Sequence, residues 1–159
     1  MIKIALLLTL TSIMASAWFF PSMSFGYGDD NDTTNVDKSY VRDDKQNIVL
    51  DTSSKRVYYD STPSPKMHFY KAWDYCKKMD YLGQKDWRVP SKSELRSLLE
   101  LSRRTITVKH AFKNVKEEKY WTSTEDRFEQ AYYVDFNLGR YSTAKLTKKY
   151  HVICVRDSK

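Results

Sequence analysis

Few side chains in this 159-residue sequence have the chemistry of a reactive centre, and their spacing does not bring them together. Cys76 and Cys154 are the only cysteines and lie far apart. There is no CxxC pair of the kind that holds zinc or runs thiol–disulfide exchange. His68, His110 and His151 are scattered, with neither HExxH nor a calcium-loop pattern around them. Ser123 follows Trp121 in a run of hydroxyl residues, but a serine nucleophile needs a base within reach and no histidine spacing supplies one. Thr122, Ser123 and Thr124 read more simply as strand hydroxyls that satisfy backbone groups. The expectation is a chain with no catalytic residues, no metal and no cofactor.

What remains is charge and aromatic surface. The formal net charge is +7, with Asp29, Asp30, Asp32, Asp37, Asp43 and Asp44 crowded into the first third, so the positive excess falls after residue 47. Arg103, Arg104, Lys109, Lys113, Lys116 and Lys119 form one basic stretch, and Lys145, Lys148 and Lys149 a second. Tyr132, Tyr133, Tyr141 and Tyr150 interleave with them. Such a surface attracts polyanions in a salt-dependent way. The candidate ligand-binding residues are Arg103, Arg104, Lys109, Lys113, Lys145, Lys148 and Lys149. A solvated basic surface that only aids solubility is the plainer reading.

The compartment limits the partner. Residues 1–17 carry Lys3, an apolar run from Ile4 to Met14, and Ala15-Ser16-Ala17 as a small-x-small cleavage site. This predicts a cleaved export signal. Pro21, Ser22 and Ser24 interrupt the apolar stretch before it could span a bilayer, so no stable membrane span is expected after signal removal. Export makes an even pair of cysteines a disulfide and removes nucleic acid as a partner. The expected location is the periplasm, the cell surface or the medium. The expected partner is an anionic polysaccharide or an envelope protein.

The elements that must position these groups can be read by period and punctuation. Residues 18–40 are polar and aperiodic and read as a flexible linker, with a domain over 41–159. Ile48–Leu50 and Arg56–Tyr59 flank a turn at 51–55 and form a hairpin. Phe69, Ala72, Trp73, Cys76 and Met79 make one apolar stripe, which predicts a helix over 68–81 with Cys76 facing the core. Ser91 and Glu94 have S-x-x-E spacing, the capping box of a second helix whose apolar face is Leu95, Leu98, Leu99 and Leu101. Residues 102–119 read as a long surface loop with a short helical piece. Strands follow at 120–124 and 131–136, the chain turns at 137–140, and a final strand at 152–156 carries Cys154. Strands, two helices and then strands argue for α+β. Trp87, Arg88 and Pro90 precede the second helix; Arg88 suits a buried carboxylate, with Glu94 the nearest in sequence.

Several of these segments together carry a resemblance. Asp86-Trp87-Arg88-Val89-Pro90-Ser91 running to Glu94-Leu95, then Tyr120-Trp121-Thr122-Ser123-Thr124, then Ala131 to Phe136 with Gly139, and last Cys154-Val155-Arg156, occur in a characteristic order. The chain resembles the Legionella collagen-like protein C-terminal domain family over about residues 41–157. The resemblance implies a C-type-lectin-like fold, related to that of formylglycine-generating enzymes, with two helices, a twisted antiparallel sheet and one disulfide from the first helix to the last strand. It implies structural roles for Trp87, Arg88, Pro90, Glu94, Trp121 and Arg156. It also implies an exported and adhesive protein, the collagen-like adhesin of the family being associated with sulfated polysaccharide. No Gly-x-y repeat occurs here. The Trp-Asn-Asp run of calcium-binding lectins is absent, and the two cysteines of the expected bridge leave none for copper chemistry. The chain departs from the family at Tyr59, where Trp is usual, and in the 51–55 turn, which lacks the usual Asn and Gly.

Overall fold

The computed structural model describes residues 39–100 and 108–158, which belong to one unit spanning Thr33–Lys159. Seven strands and two short helices follow in the order β1 (Tyr40–Asp43), β2 (Ile48–Asp51), β3 (Arg56–Tyr59), α1 (Phe69–Lys77), α2 (Lys92–Arg96), β4 (Lys119–Asp126), β5 (Gln130–Asp135), β6 (Arg140–Lys145) and β7 (Val155–Asp157). They form two antiparallel sheets, β1-β2-β3-β7 and β4-β5-β6, where the sequence led us to expect one. The regular structure of the described residues is mostly sheet, richer in strand than the α+β expectation. Among them no helix is long and apolar enough to cross a membrane.

The first sheet is a meander held by its turns. Asn47 and Lys55 take the left-handed backbone that each turn requires, at φ 48° and 56°. At the second turn the Asp51 carboxylate accepts the N–H groups of Ser53 and Ser54, at 2.9 and 3.1 Å, and also their hydroxyls. Asp51 therefore replaces the missing Asn-Gly signal with a side-chain turn of its own.

Both helices are shorter than their apolar periodicity suggests. α1 ends at Lys77, short of residue 81, because the Met79 N–H turns back to the Cys76 carbonyl and Leu82 and Gly83 then adopt left-handed φ of 55° and 70°. α2 has five residues. Past it, Leu98 and Leu99 bond to the carbonyls of Leu95 and Arg96, three residues back, and Leu99 then pairs with Val108. Leu98 and Leu99 are buried all the same, so their pattern marks core positions rather than helix length. Leu101 lies outside the described residues. The stretch from Val108 to Glu118 is turns and bends without a helix, and it sends Val108 and Phe112 into the core.

Two further differences concern strands. β6 falls on Arg140–Lys145, beyond the expected turn; its largely exposed residues lack an apolar alternation to announce it. The last strand starts at Val155, leaving Val152, Ile153 and Cys154 buried but outside the ladder. Cys154 keeps one sheet contact, accepting the Tyr59 N–H at 2.9 Å. The disulfide is present and joins Cys76 of α1 to Cys154, across 78 positions of sequence.

Strand β5 separates two apolar clusters. Val134 packs on one face with Tyr120, Phe136, Leu95 and Leu98. Ala131 packs on the other with Trp121, Phe69, Trp87 and the disulfide, joined by the half-buried Tyr133. The strand's period of two thus serves both halves of the core.

Candidate binding surface

The corner ahead of α2 is a closed network. Arg88 donates from both guanidinium nitrogens to the two oxygens of Glu94, each at 2.8 Å. Ser91 accepts the Glu94 N–H, while its own N–H donates to Glu94 Oε2 at 2.7 Å, completing the capping box. Arg56 Nε lies 2.7 Å from Glu94 Oε1, an ion pair without the alignment of a hydrogen bond. Burial alone would raise the Glu94 carboxyl. The Arg88 hydrogen bonds, the Ser91 N–H and the charges of Arg88 and Arg56 outweigh burial and hold it at about 2. The Arg88 backbone exchanges two 2.8 Å bonds with Val155, and the Arg156 guanidinium sits 5.6 Å from the Trp87 ring. Trp87 and Pro90 are buried, and the buried Trp121 donates its indole N–H to the Met67 carbonyl. All six motif residues therefore face inward or toward one another.

Among the described residues, the basic side chains singled out in the sequence have different neighbours. Arg103 and Arg104 lie outside the described residues. Lys109 sits 3.5 Å from Glu100. Lys113 pairs with Asp44 at 2.8 Å, and its backbone N–H binds the buried Asp60. Lys149 lines a shallow depression of about 320 Å³ with Lys66 and Lys119, balanced there by Glu117, Glu118 and Asp135. Lys148 closes a turn onto the Lys145 carbonyl at 2.9 Å.

A different constellation is assembled between α2 and the second sheet. Lys92 and Arg96 are four residues apart and share one side of α2. Below them, Tyr132 of β5 is paired with Thr143 of β6, and Val134 with Tyr141, so Tyr132 and Tyr141 rise on the same face. The Lys92 ammonium lies 4.0 Å from the Tyr132 ring centre and 5.5 Å from that of Tyr141. The Arg96 guanidinium lies 5.1 Å from the Tyr141 ring, and the two rings are 6.3 Å apart. Register places Lys145 two positions beyond Thr143 on this face, with Asp126 in the same row as the one acid of the strand ends. Among the described residues neither Lys92 nor Arg96 is paired with a carboxylate. The Lys92 N–H binds Thr124 Oγ1 at 3.0 Å, which fastens the start of α2 to β4.

Here the tyrosines and Lys145 were legible as basic-aromatic surface, but Lys92 and Arg96 were not. Their signal is present: two cations at i, i+4 on a capped helix whose Leu95 is buried. Chemically the arrangement offers cations held against two tyrosine rings for carboxylate, sulfate or phosphate, with the exposed Tyr141 as the ring left to make contact.

No curated protein matches this chain. A sequence model of the Lcl C-terminal domain matches residues 23–156, nearly the whole of the chain. The motif order, the disulfide and that match lead to one conclusion: the chain belongs to the Legionella collagen-like protein C-terminal domain family.

Proposed function

We propose that this protein is an exported, non-enzymatic binding domain of C-type-lectin-like architecture, adhesin-like in role, whose partner is an anionic polysaccharide of the envelope or surroundings. The observation that carries the reading is the pair Lys92 and Arg96 held over Tyr132 and Tyr141, without carboxylate partners among the described residues. A sugar ring stacks its C–H face on exposed Tyr141 while its acidic substituent meets Arg96 or Lys92. The signal-like residues 1–17 and the Cys76–Cys154 bridge support export to an oxidising compartment. The two helices, the antiparallel sheets and the bridge from α1 support the lectin-like architecture. The test is elution of the oxidised protein from heparin against a charge-matched cation exchanger over a salt gradient. Clearly higher salt on heparin supports a built glycan site. Equal elution means that the basic excess acts only as diffuse charge.

A further inference from the structure

A second site lies along α1, shares no residue with that platform and does not rest on the polysaccharide reading. Lys71, Asp74, Tyr75 and Lys78 follow one another at i, i+3, i+4 and i+7 along α1 and its C-cap and line an open groove of about 630 Å³. Tyr59 and Tyr81 line it as well, their rings 4.7 Å apart and at 86°. Their phenols are tied down, Tyr81 to the Gln46 carbonyl at 2.8 Å and Tyr59 to Thr62 at 3.2 Å, so it is ring surface that faces the space. Met67 and Met79 add soft, polarisable lining.

The charges on the rim are unspent. Asp80 is occupied by Lys85 at 3.4 Å, but among the described residues no ion pair engages Lys71, Asp74 or Lys78. Along the helix axis Asp74 lies about 5 Å from one lysine and about 6 Å from the other. The groove thus places one carboxylate outside any ion pair of the described residues, Asp74, among three tyrosine rings with a lysine on either side along the helix.

We infer that this groove binds a phosphocholine-type zwitterion, with the quaternary ammonium against Tyr59, Tyr75 and Tyr81 beside Asp74, and the phosphate on Lys71 and Lys78. Aromatic walls attract a cation that keeps little hydration, which a trimethylammonium group is and a sodium ion is not. The methyl groups gain contact with the methionine lining. Phosphocholine as a monoester carries one net negative charge, opposite to the net positive charge of the three rim residues.

The experiment is calorimetric titration of the oxidised protein with soluble phosphocholine, choline alone and inorganic phosphate alone, alongside sedimentation with phosphatidylcholine vesicles. We expect phosphocholine to bind, with choline and phosphate each weaker by about ten-fold or more. Asp74→Asn and Tyr75→Leu should each weaken phosphocholine by about ten-fold. The pair Lys92→Gln and Arg96→Gln should leave it unchanged, which separates this site from the polysaccharide platform. Binding to soluble ligand and vesicles identifies a lipid headgroup as a reachable source; binding to soluble ligand alone identifies a headgroup borne off the membrane. No saturable binding by about 10 mM phosphocholine overturns the inference, as does binding that Asp74→Asn leaves intact.

Discussion

Arg88 and Glu94 meet through two parallel 2.8 Å hydrogen bonds that tie the turn into α2 to the strand that closes the first sheet. The pair is lopsided in exposure: the Glu94 side chain is 7 % exposed and that of Arg88 40 %. The carboxylate is therefore the member that cannot lose its partners cheaply. A carboxyl held at about 2, against about 4.3 in an unfolded chain, corresponds to about 3 kcal/mol of folding stability. The folded value is depressed, so this stability is full above pH 5 and is lost as the pH falls from about 4.3 toward 2. Glu94→Gln should cost about 3 kcal/mol at neutral pH and should flatten this acid limb, checked by urea denaturation at a series of pH values. An unchanged acid limb in the variant would show that other carboxylates govern it.

Asp60 does for the 108–118 segment what Glu94 does for α2. It is buried, pairs with Arg42, and accepts the N–H groups of Lys113 and Asn114 at 2.9 and 3.1 Å. The Asn114 side chain returns a bond to the Asp60 carbonyl at 2.6 Å. Asp60→Ala leaves two amides without their acceptor and Arg42 without its buried counter-ion, although Arg42 keeps Asp44 and Asn47, and we expect this to cost about 3 kcal/mol. Amide exchange at Lys113 and Asn114 should accelerate more than at Val134, a core amide distant in sequence. Uniform acceleration across the chain would mean that the contact is global rather than a local latch.

The Cys76–Cys154 bridge closes most of the folded unit into one loop. By the chain-entropy argument, Cys76→Ser with Cys154→Ser should lower stability by about 4–5 kcal/mol. Both positions are buried, so the hydroxyls add to the loss. Comparing unfolding midpoints of the oxidised protein and the double variant checks this. Equal midpoints would mean that the unfolded chain gains little freedom from losing the bridge.

Phe128 is a stabilising target of the opposite kind. It stands at the tip of the β4–β5 hairpin, 87 % exposed, with φ at 64°, and Glu129 follows at 55°. Glycine takes this backbone without a Cβ penalty, and the exposed ring gives little packing to lose. Phe128→Gly should hold or raise stability, by up to about 1 kcal/mol, in thermal unfolding. A fall of the same size would show that the ring packs in solution.

The sequence carried the hairpin, the capping box, the disulfide and the Arg88–Glu94 pairing because each has a local or charge-specific signature. Helix ends were less legible: Met79 and Leu98 keep helical spacing while their backbone bonds three residues back rather than four. β6 was hidden because a strand of largely exposed residues has no apolar alternation. The platform was half legible. Tyr132 and Tyr141 stand out by composition, but that they lie under Lys92 and Arg96 depends on the register of β5 with β6 and on where α2 docks, neither of which is a local property.

The most direct test of the polysaccharide reading is titration of a heparin oligosaccharide into three forms of the oxidised protein. These are the unaltered chain, the variant with Lys92→Gln and Arg96→Gln, and a charge-matched variant with Lys45→Gln and Lys55→Gln at exposed turn positions. We expect the first variant to lose affinity by about ten-fold or more, and the second to stay within about two-fold of the unaltered chain. Equal losses in the two variants would contradict the reading, because binding would then follow net charge and not the residues held over Tyr132 and Tyr141.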